Sequence, residues 1–301
     1  MYKPRFDITN SILANISRIE AAREVIENAP MVPLWERKFK KEAVERSVHY
    51  ATALEGNPLN FTEVKEILDK GKKHNVIARE RDIQEVINYR DALDYIEELK
   101  KEEAQICEGA IKKLNAIITN NIVEDKYRGE LRETEAYSRN SKTLEKVLKW
   151  PAPEKVPDLM KDLCTWVEEK SENVNKILKA GILHTWLVTI HPFYEGNGRT
   201  SRILSILSLT LDGYGVKDLF SLEEYYDRDA NHYYSAIKTV LNTEGDYTRW
   251  LEYFTLGLAM EYNRIKERVL KLSRDAHLKE SAGQVRLNSR QERIILFVND
   301  Y

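Results

Sequence analysis

Cysteine is scarce in this chain: Cys107 and Cys164 are the only two in 301 residues. With no CxxC and no second pair, they exclude a disulfide framework and a structural zinc site, and read as small core residues. Proline and glycine are sparse too, at eight and twelve, which leaves room for long uninterrupted helices. No apolar run approaches the ~20 residues a membrane span needs. The opening Met1 to Asp7 has no apolar signal-peptide core, so a cytoplasmic location away from membranes is expected. Net charge is only −2, so nothing global calls for nucleic acid or anionic lipid, and charge-dependent recognition has to be local.

What the chain does have is helical periodicity. Ile12, Ile16, Ile19 and Ile26 mark one stripe, closed by Pro30; Val44, Val48 and Ala51 mark a second, which runs to Leu54 and Glu55 and stops at Gly56-Asn57. Asn60 with Glu63 predicts a capping box opening a third helix before Gly71. Further stripes follow at 83–96, 111–118, 158–166, 174–188 and 203–209, with two more helices near 233–241 and 247–270. Residues 128–153 have no such stripe and read as a loop or short hairpin. An all-α chain is expected, in three stretches: an N-terminal helical region over 1–100, a core over 101–270, and a helical tail over 271–301. The tail, at 287–298, reads as a capped helix belonging to something larger.

The chemistry concentrates in His191-Pro192-Phe193-Tyr194-Glu195-Gly196-Asn197-Gly198-Arg199-Thr200-Ser201-Arg202. The segment lies between two apolar helices, so it is a tight loop feeding a helix N-terminus. Gly196-Asn197-Gly198 turns the backbone and presents N–H groups at the positive end of the helix dipole, an anion site suited to phosphate. Arg199 and Arg202, three residues apart, can reach one polyanion. Glu195 adds a hard oxygen ligand for Mg²⁺, and His191 can take a proton near neutral pH. Together they make a phosphate-transfer site.

This string resembles the Fic family signature HPFx[DE]GNGRxxR and matches every fixed position. The resemblance implies a Fic-fold helical bundle with a short β-hairpin flap, and an enzyme that moves AMP from Mg-ATP to a Tyr, Thr or Ser hydroxyl of a protein. His191 would be the general base and Glu195 the Mg²⁺ ligand. Asn197, with the amides of Gly196 and Gly198, would hold phosphates, as would Arg199 and Arg202, while Phe193 anchors the loop. The 129–132 and 150–160 segments resemble the flap that pairs with a target strand. Tyr225-Tyr226 and Tyr233-Tyr234 match the region bordering adenine, and Tyr233 and Tyr234 are expected to line it.

Glu55 is odd on physical grounds, because it continues an apolar face at the negative end of its helix and so calls for a cation. Its surroundings, Tyr50-Ala51-Thr52-Ala53-Leu54-Glu55-Gly56-Asn57, resemble the family's inhibitory motif [ST]xxxE[GN], with Ala51 at the Ser/Thr position and Thr52 next. That implies an inhibitory Glu55 paired with Arg202. Two other functions stay open: removal of AMP, with Glu55 orienting water, and a DNA-binding regulator if the tail begins a winged helix. The target protein is not named by the sequence, self-modification is expected, and monomer and homodimer are equally compatible. His184, seven residues before His191, reads as a packed helix histidine rather than half of a metal pair.

Overall fold

A computed structural model describes residues 4–29, 33–139, 146–215, 221–243 and 245–281; the helix expected at 287–298 lies outside them. Helices dominate: α1 (Asn10–Asn28), α2 (Pro33–Ala53), α3 (Phe61–Lys70), α4 (Glu80–Lys101), α5 (Glu108–Ile118), α6 (Val156–Glu169), α7 (Lys176–Ile190), α8 (Asn197–Leu211), α9 (Glu223–Arg228), α10 (Ala230–Asn242) and α11 (Thr248–Ser281). Two short strands, β1 (Tyr137–Arg139) and β2 (Lys146–Lys149), pair antiparallel between α5 and α6, with Tyr137 opposite Lys149.

The centre is the α7–α8 pair. From Ile177 to Leu187 every residue of α7 is buried, which is why its sequence is apolar all round instead of striped. In α8 the run Arg199 to Thr210 is equally enclosed. Among its hydroxyls, Ser201 bonds back to the Asn197 carbonyl at 2.8 Å and Ser205 to that of Arg202 at 2.7 Å, while the buried Ser208 hydroxyl has no partner among the described residues. Helices α4, α5, α10 and α11 pack around this pair, and α6 covers α7.

The N-terminal region belongs to the same core. Ile12, Ile19 and Ile26, seven residues apart and fully buried, seat α1 along α11. Thr9 donates to Glu252 at 2.8 Å and Asn15 to Thr255 at 3.2 Å, so the two helices advance in the same direction. The predicted capping box forms: Asn60 accepts from the N–H groups of Thr62 and Glu63, and Glu63 accepts from that of Asn60. Helix α11 continues past the boundary expected at 270. The short α9, which escapes the periodicity reading, buries only Glu223 and Tyr226.

Candidate active site

The loop between α7 and α8 is held by its own side chains. His191 closes α7 in the left-handed conformation (φ 51°, ψ 56°), its N–H on the Leu187 carbonyl at 3.0 Å. Phe193, 1% exposed, is buried as expected of an anchor. Asn197 accepts from the Phe193 N–H at 2.9 Å and donates to the Phe193 carbonyl at 2.8 Å. Its side chain is therefore a loop clamp, and its main-chain N–H, with those of the following first-turn residues, is left for the expected phosphate contact. Gly196 caps α8 with φ +76°, and a Cβ there would lie 3.0 Å from Thr119 Cγ2 and 3.2 Å from Ile118 Cγ2. Asn115 on α5 braces the loop from below, donating to the Glu195 carbonyl at 2.9 Å and to Thr200 at 3.1 Å.

The start of α8, where an anion is expected, already faces a carboxylate. Glu55 sits in the turn just after α2, and its Oε1 accepts from Arg202 Nη2 at 2.6 Å. The same oxygen lies where a Cβ on residue 198 would be 2.6 Å away, so a larger residue there would displace the Glu55 carboxylate from this position. Arg202 is 1% exposed, and burial opposes its charge; Glu55 together with Tyr233, Tyr89 and Tyr234 outweighs this and holds it well above the usual arginine range. Burial likewise pushes the Glu55 carboxyl up, yet Arg202 and then Arg199 bring it below its ordinary value. The absent Ser/Thr hydroxyl at 51 is replaced by main chain: the Ala51 carbonyl accepts from Arg202 Nη2 at 3.1 Å. Thr52 turns its hydroxyl back onto Val48 and His49 of α2.

Arg199 does not share the Arg202 partner. It is 3% exposed and lies 3.3 Å from Glu85 of α4 and 3.5 Å from Glu195. Without a polyanion, Arg202 thus rests on Glu55 while Arg199 lies between Glu85 and Glu195. Glu195 is 31% exposed and also pairs with Arg81 of α4. Among the described residues no group of three acidic, histidine or cysteine side chains could hold a metal. Glu195, whose Oε1 takes Arg81 and Arg199, can still offer its other oxygen to Mg²⁺, which usually takes its remaining ligands from phosphates and water.

His191 presents a neutral imidazole. Burial, then the charge of Arg132, lowers its pKa to about 4, against smaller opposing effects from the Val188 backbone and Glu55. The Trp150 indole lies flat on the ring, 4.4 Å between centroids and 3° between planes. His184 is wholly buried, 2.9 Å from the Tyr233 hydroxyl and packed by Tyr226 and Trp250. It is a packed histidine, as expected.

Tyr233, expected to line the nucleotide site, is packed at 1% exposure with its hydroxyl on His184 and lies within reach of the Arg202 charge. Tyr234 is 40% exposed and donates to the Leu54 carbonyl at 3.0 Å, pinning the turn that carries Glu55. Asn115, Glu85, Arg81 and Arg132 were missed in the sequence. Asn115 leaves a trace there, a polar residue on the apolar face of Ile111, Leu114 and Ile118; the others look like ordinary surface charges.

Residues 105–209 match the sequence profile of the Fic/DOC family. Protein adenylyltransferase fic-1 of Caenorhabditis elegans is 30% identical over 197 residues, covering 63% of this chain and 37% of that protein. Protein adenylyltransferase Fic of Drosophila grimshawi is 28% identical over 187 residues, 59% of this chain and 35% of its own length. The chain thus spans a little over a third of the curated relatives it matches. Among solved structures, a Fic family protein from Desulfovibrio desulfuricans G20 superimposes with a TM-score of 0.72 at 22% identity, over 87% of this chain and 76% of that one. Fic-1 from C. elegans gives 0.69 at 22% identity, over 88% and 74%. The fold is shared with both.

Proposed function

On a chain whose residues 105–209 form a Fic/DOC family domain, we propose a protein adenylyltransferase held in a self-inhibited state. The observation that carries this reading is the Glu55 carboxylate seated on Arg202 over Gly198, where a nucleotide phosphate would otherwise sit. An anion site that is occupied by an internal carboxylate, beside a neutral imidazole, suits a phosphate-transfer enzyme kept off. The relatives' printed names supply the transferred group, AMP, and with it ATP as donor.

In this reading the target hydroxyl gives its proton to His191 as its oxygen attacks the α-phosphorus of ATP. The bond to the β-phosphate oxygen breaks and pyrophosphate leaves. The α8 N–H groups and Arg199 hold the phosphates, and Arg202 joins them once Glu55 has moved. Mg²⁺ held at Glu195 would neutralise phosphate charge. The strand pair β1–β2 offers backbone for a target segment to pair with, and Tyr234 borders the nucleotide.

The test is incubation of wild type, Glu55→Gly and His191→Ala with Mg²⁺ and α-labelled ATP, alone and in lysate. Label is expected to rise in Glu55→Gly, on itself or a partner, and to vanish when His191→Ala is added. Label in Glu55→Gly no higher than in the His191→Ala background would defeat the reading. Release of AMP from a labelled protein by wild type, lost in Glu55→Gly, would instead favour removal.

A further inference from the structure

The imidazole of His191 is fastened to a part of the chain some fifty residues earlier in sequence. Arg132 is 2% exposed, and its donors go to main-chain carbonyls. Nε donates to His191 O at 2.7 Å and Nη2 to Ile190 O at 3.5 Å, so the guanidinium caps the carbonyl end of α7, where a cation is favoured. Nη2 also reaches Pro151 O at 2.6 Å, just after β2, and Nη1 reaches Thr134 O at 2.9 Å, just before β1. Its own N–H donates to Pro192 O at 2.8 Å. One side chain therefore joins both ends of the strand pair to the left-handed residue that ends α7.

Trp150 is the second fastener. It follows β2 directly, its N–H on the Ala136 carbonyl at 3.2 Å closes the strand pair, and its indole is 7% exposed. That indole covers one whole face of the imidazole. It does not cover the edge of the imidazole, where the proton-accepting lone pair lies, and any displacement of β2 carries the indole with it. A left-handed, non-glycine residue persists only where its surroundings over-determine it. Here the surroundings are Arg132 and Trp150.

We propose that Arg132 and Trp150 are positioning residues that tie the aim of the His191 imidazole to the seating of the β1–β2 pair. This rests on the reading of His191 as the general base. The base is then placed by the same element that would receive a target strand, and a misplacement near 1 Å costs on the order of 100-fold in rate.

The test uses the full chain carrying Glu55→Gly, with Trp150→Ala, Trp150→Phe, Arg132→Lys and His191→Ala added singly. The ring proton on Cε1 of His191, assigned by its loss in His191→Ala, should show the ring-current shift of the indole. Trp150→Ala should abolish that shift and Trp150→Phe should keep part of it. In labelling, Trp150→Ala should lower kcat on the order of 100-fold, with KM for ATP unchanged and recovery in Trp150→Phe. Arg132→Lys keeps the charge but loses the fork, and should move the resonance and lower kcat in the same direction. An unmoved resonance in Trp150→Ala, or a Trp150→Phe chain no better than Trp150→Ala, would overturn the proposal. Unchanged resonance and kcat in Arg132→Lys would remove Arg132 from it. If Glu55→Gly itself shows no transfer, adenylylation fails while the resonance still decides the clamp.

Discussion

Removing the carboxylate at position 55 should weaken the resting protein even as it frees the site. Arg202 is 1% exposed, its Nε and Nη1 have no hydrogen-bond partner, and Glu55 is its ion-pair partner at 2.6 Å. Breaking a fully buried pair by deleting one member costs about 3–5 kcal/mol, since the other charge is left enclosed. The Glu55 side chain is 32% exposed, so water partly replaces it, and about 2 kcal/mol is the better expectation. For a chain of this size that lowers Tm by about 4 °C. Glycine also loosens the unfolded chain, by about 0.5–1 kcal/mol, so Glu55→Gln, similar in shape and uncharged, separates the two effects. Mg-ATP should reverse the order. A ligand at 100 times its Kd adds about 2.7 kcal/mol, and in the variant it meets an unpaired arginine instead of a competing carboxylate. Thermal melts of wild type, Glu55→Gln and Glu55→Gly, each with and without Mg-ATP, make the comparison. The reasoning fails if both variants melt at or above wild type without nucleotide, or if nucleotide shifts all three equally.

Two other outcomes follow from the same loop. The depressed His191 pKa, about 4 against about 6.5 unfolded, means that the unfolded chain takes the proton first. Stability should then fall as pH drops from 6.5 toward 4, by on the order of 3 kcal/mol from this group. His191→Gln should flatten the pH dependence of Tm in that window; an unchanged slope would refute it. Glu55, whose value is lowered, adds a loss in the same direction as pH falls through its folded value. Gly196→Ala combines φ +76° with a Cβ 3.0 Å from Thr119 and should cost about 2–3 kcal/mol in urea unfolding. A change under about 0.5 kcal/mol, the range of inert surface substitutions, would show the turn to be slack.

The outer helices were legible from one-sided burial or caps, Ile12, Ile19 and Ile26 announcing α1 and Asn60 with Glu63 announcing α3. The enclosed α7 and α8 were legible from their apolar runs. The loop of His191 was legible because anion chemistry needs its residue types together. Glu55 could be found because a carboxylate on an apolar face calls for a cation. What stayed hidden depends on partners far apart in sequence. The Arg132 guanidinium is held by carbonyls at 134, 151, 190 and 191, which no local pattern encodes. Tyr233 and Tyr234 are adjacent, and α10 turns one into the core and the other outward. Asn197 fits an anion cradle on paper, and the clamp its side chain makes on Phe193 shows only in the fold.

Besides the Tyr234 bond to Leu54, the turn after α2 is tied toward both loop arginines. Glu55 holds Arg202, while two residues on Asn57 donates to Glu85 Oε2 at 3.0 Å, and the other oxygen of Glu85 faces Arg199 at 3.3 Å. A three-residue bend therefore braces both arginines of the loop, one directly and one through an intermediary. Rotation of the Glu55 side chain unhooks a single brace and leaves α2 docked. Lifting the bend as a body, as a partner pulling on α2 would, slackens both together. Glu55→Gly imitates only the first event, so the fully released protein is a different state from the one that substitution produces.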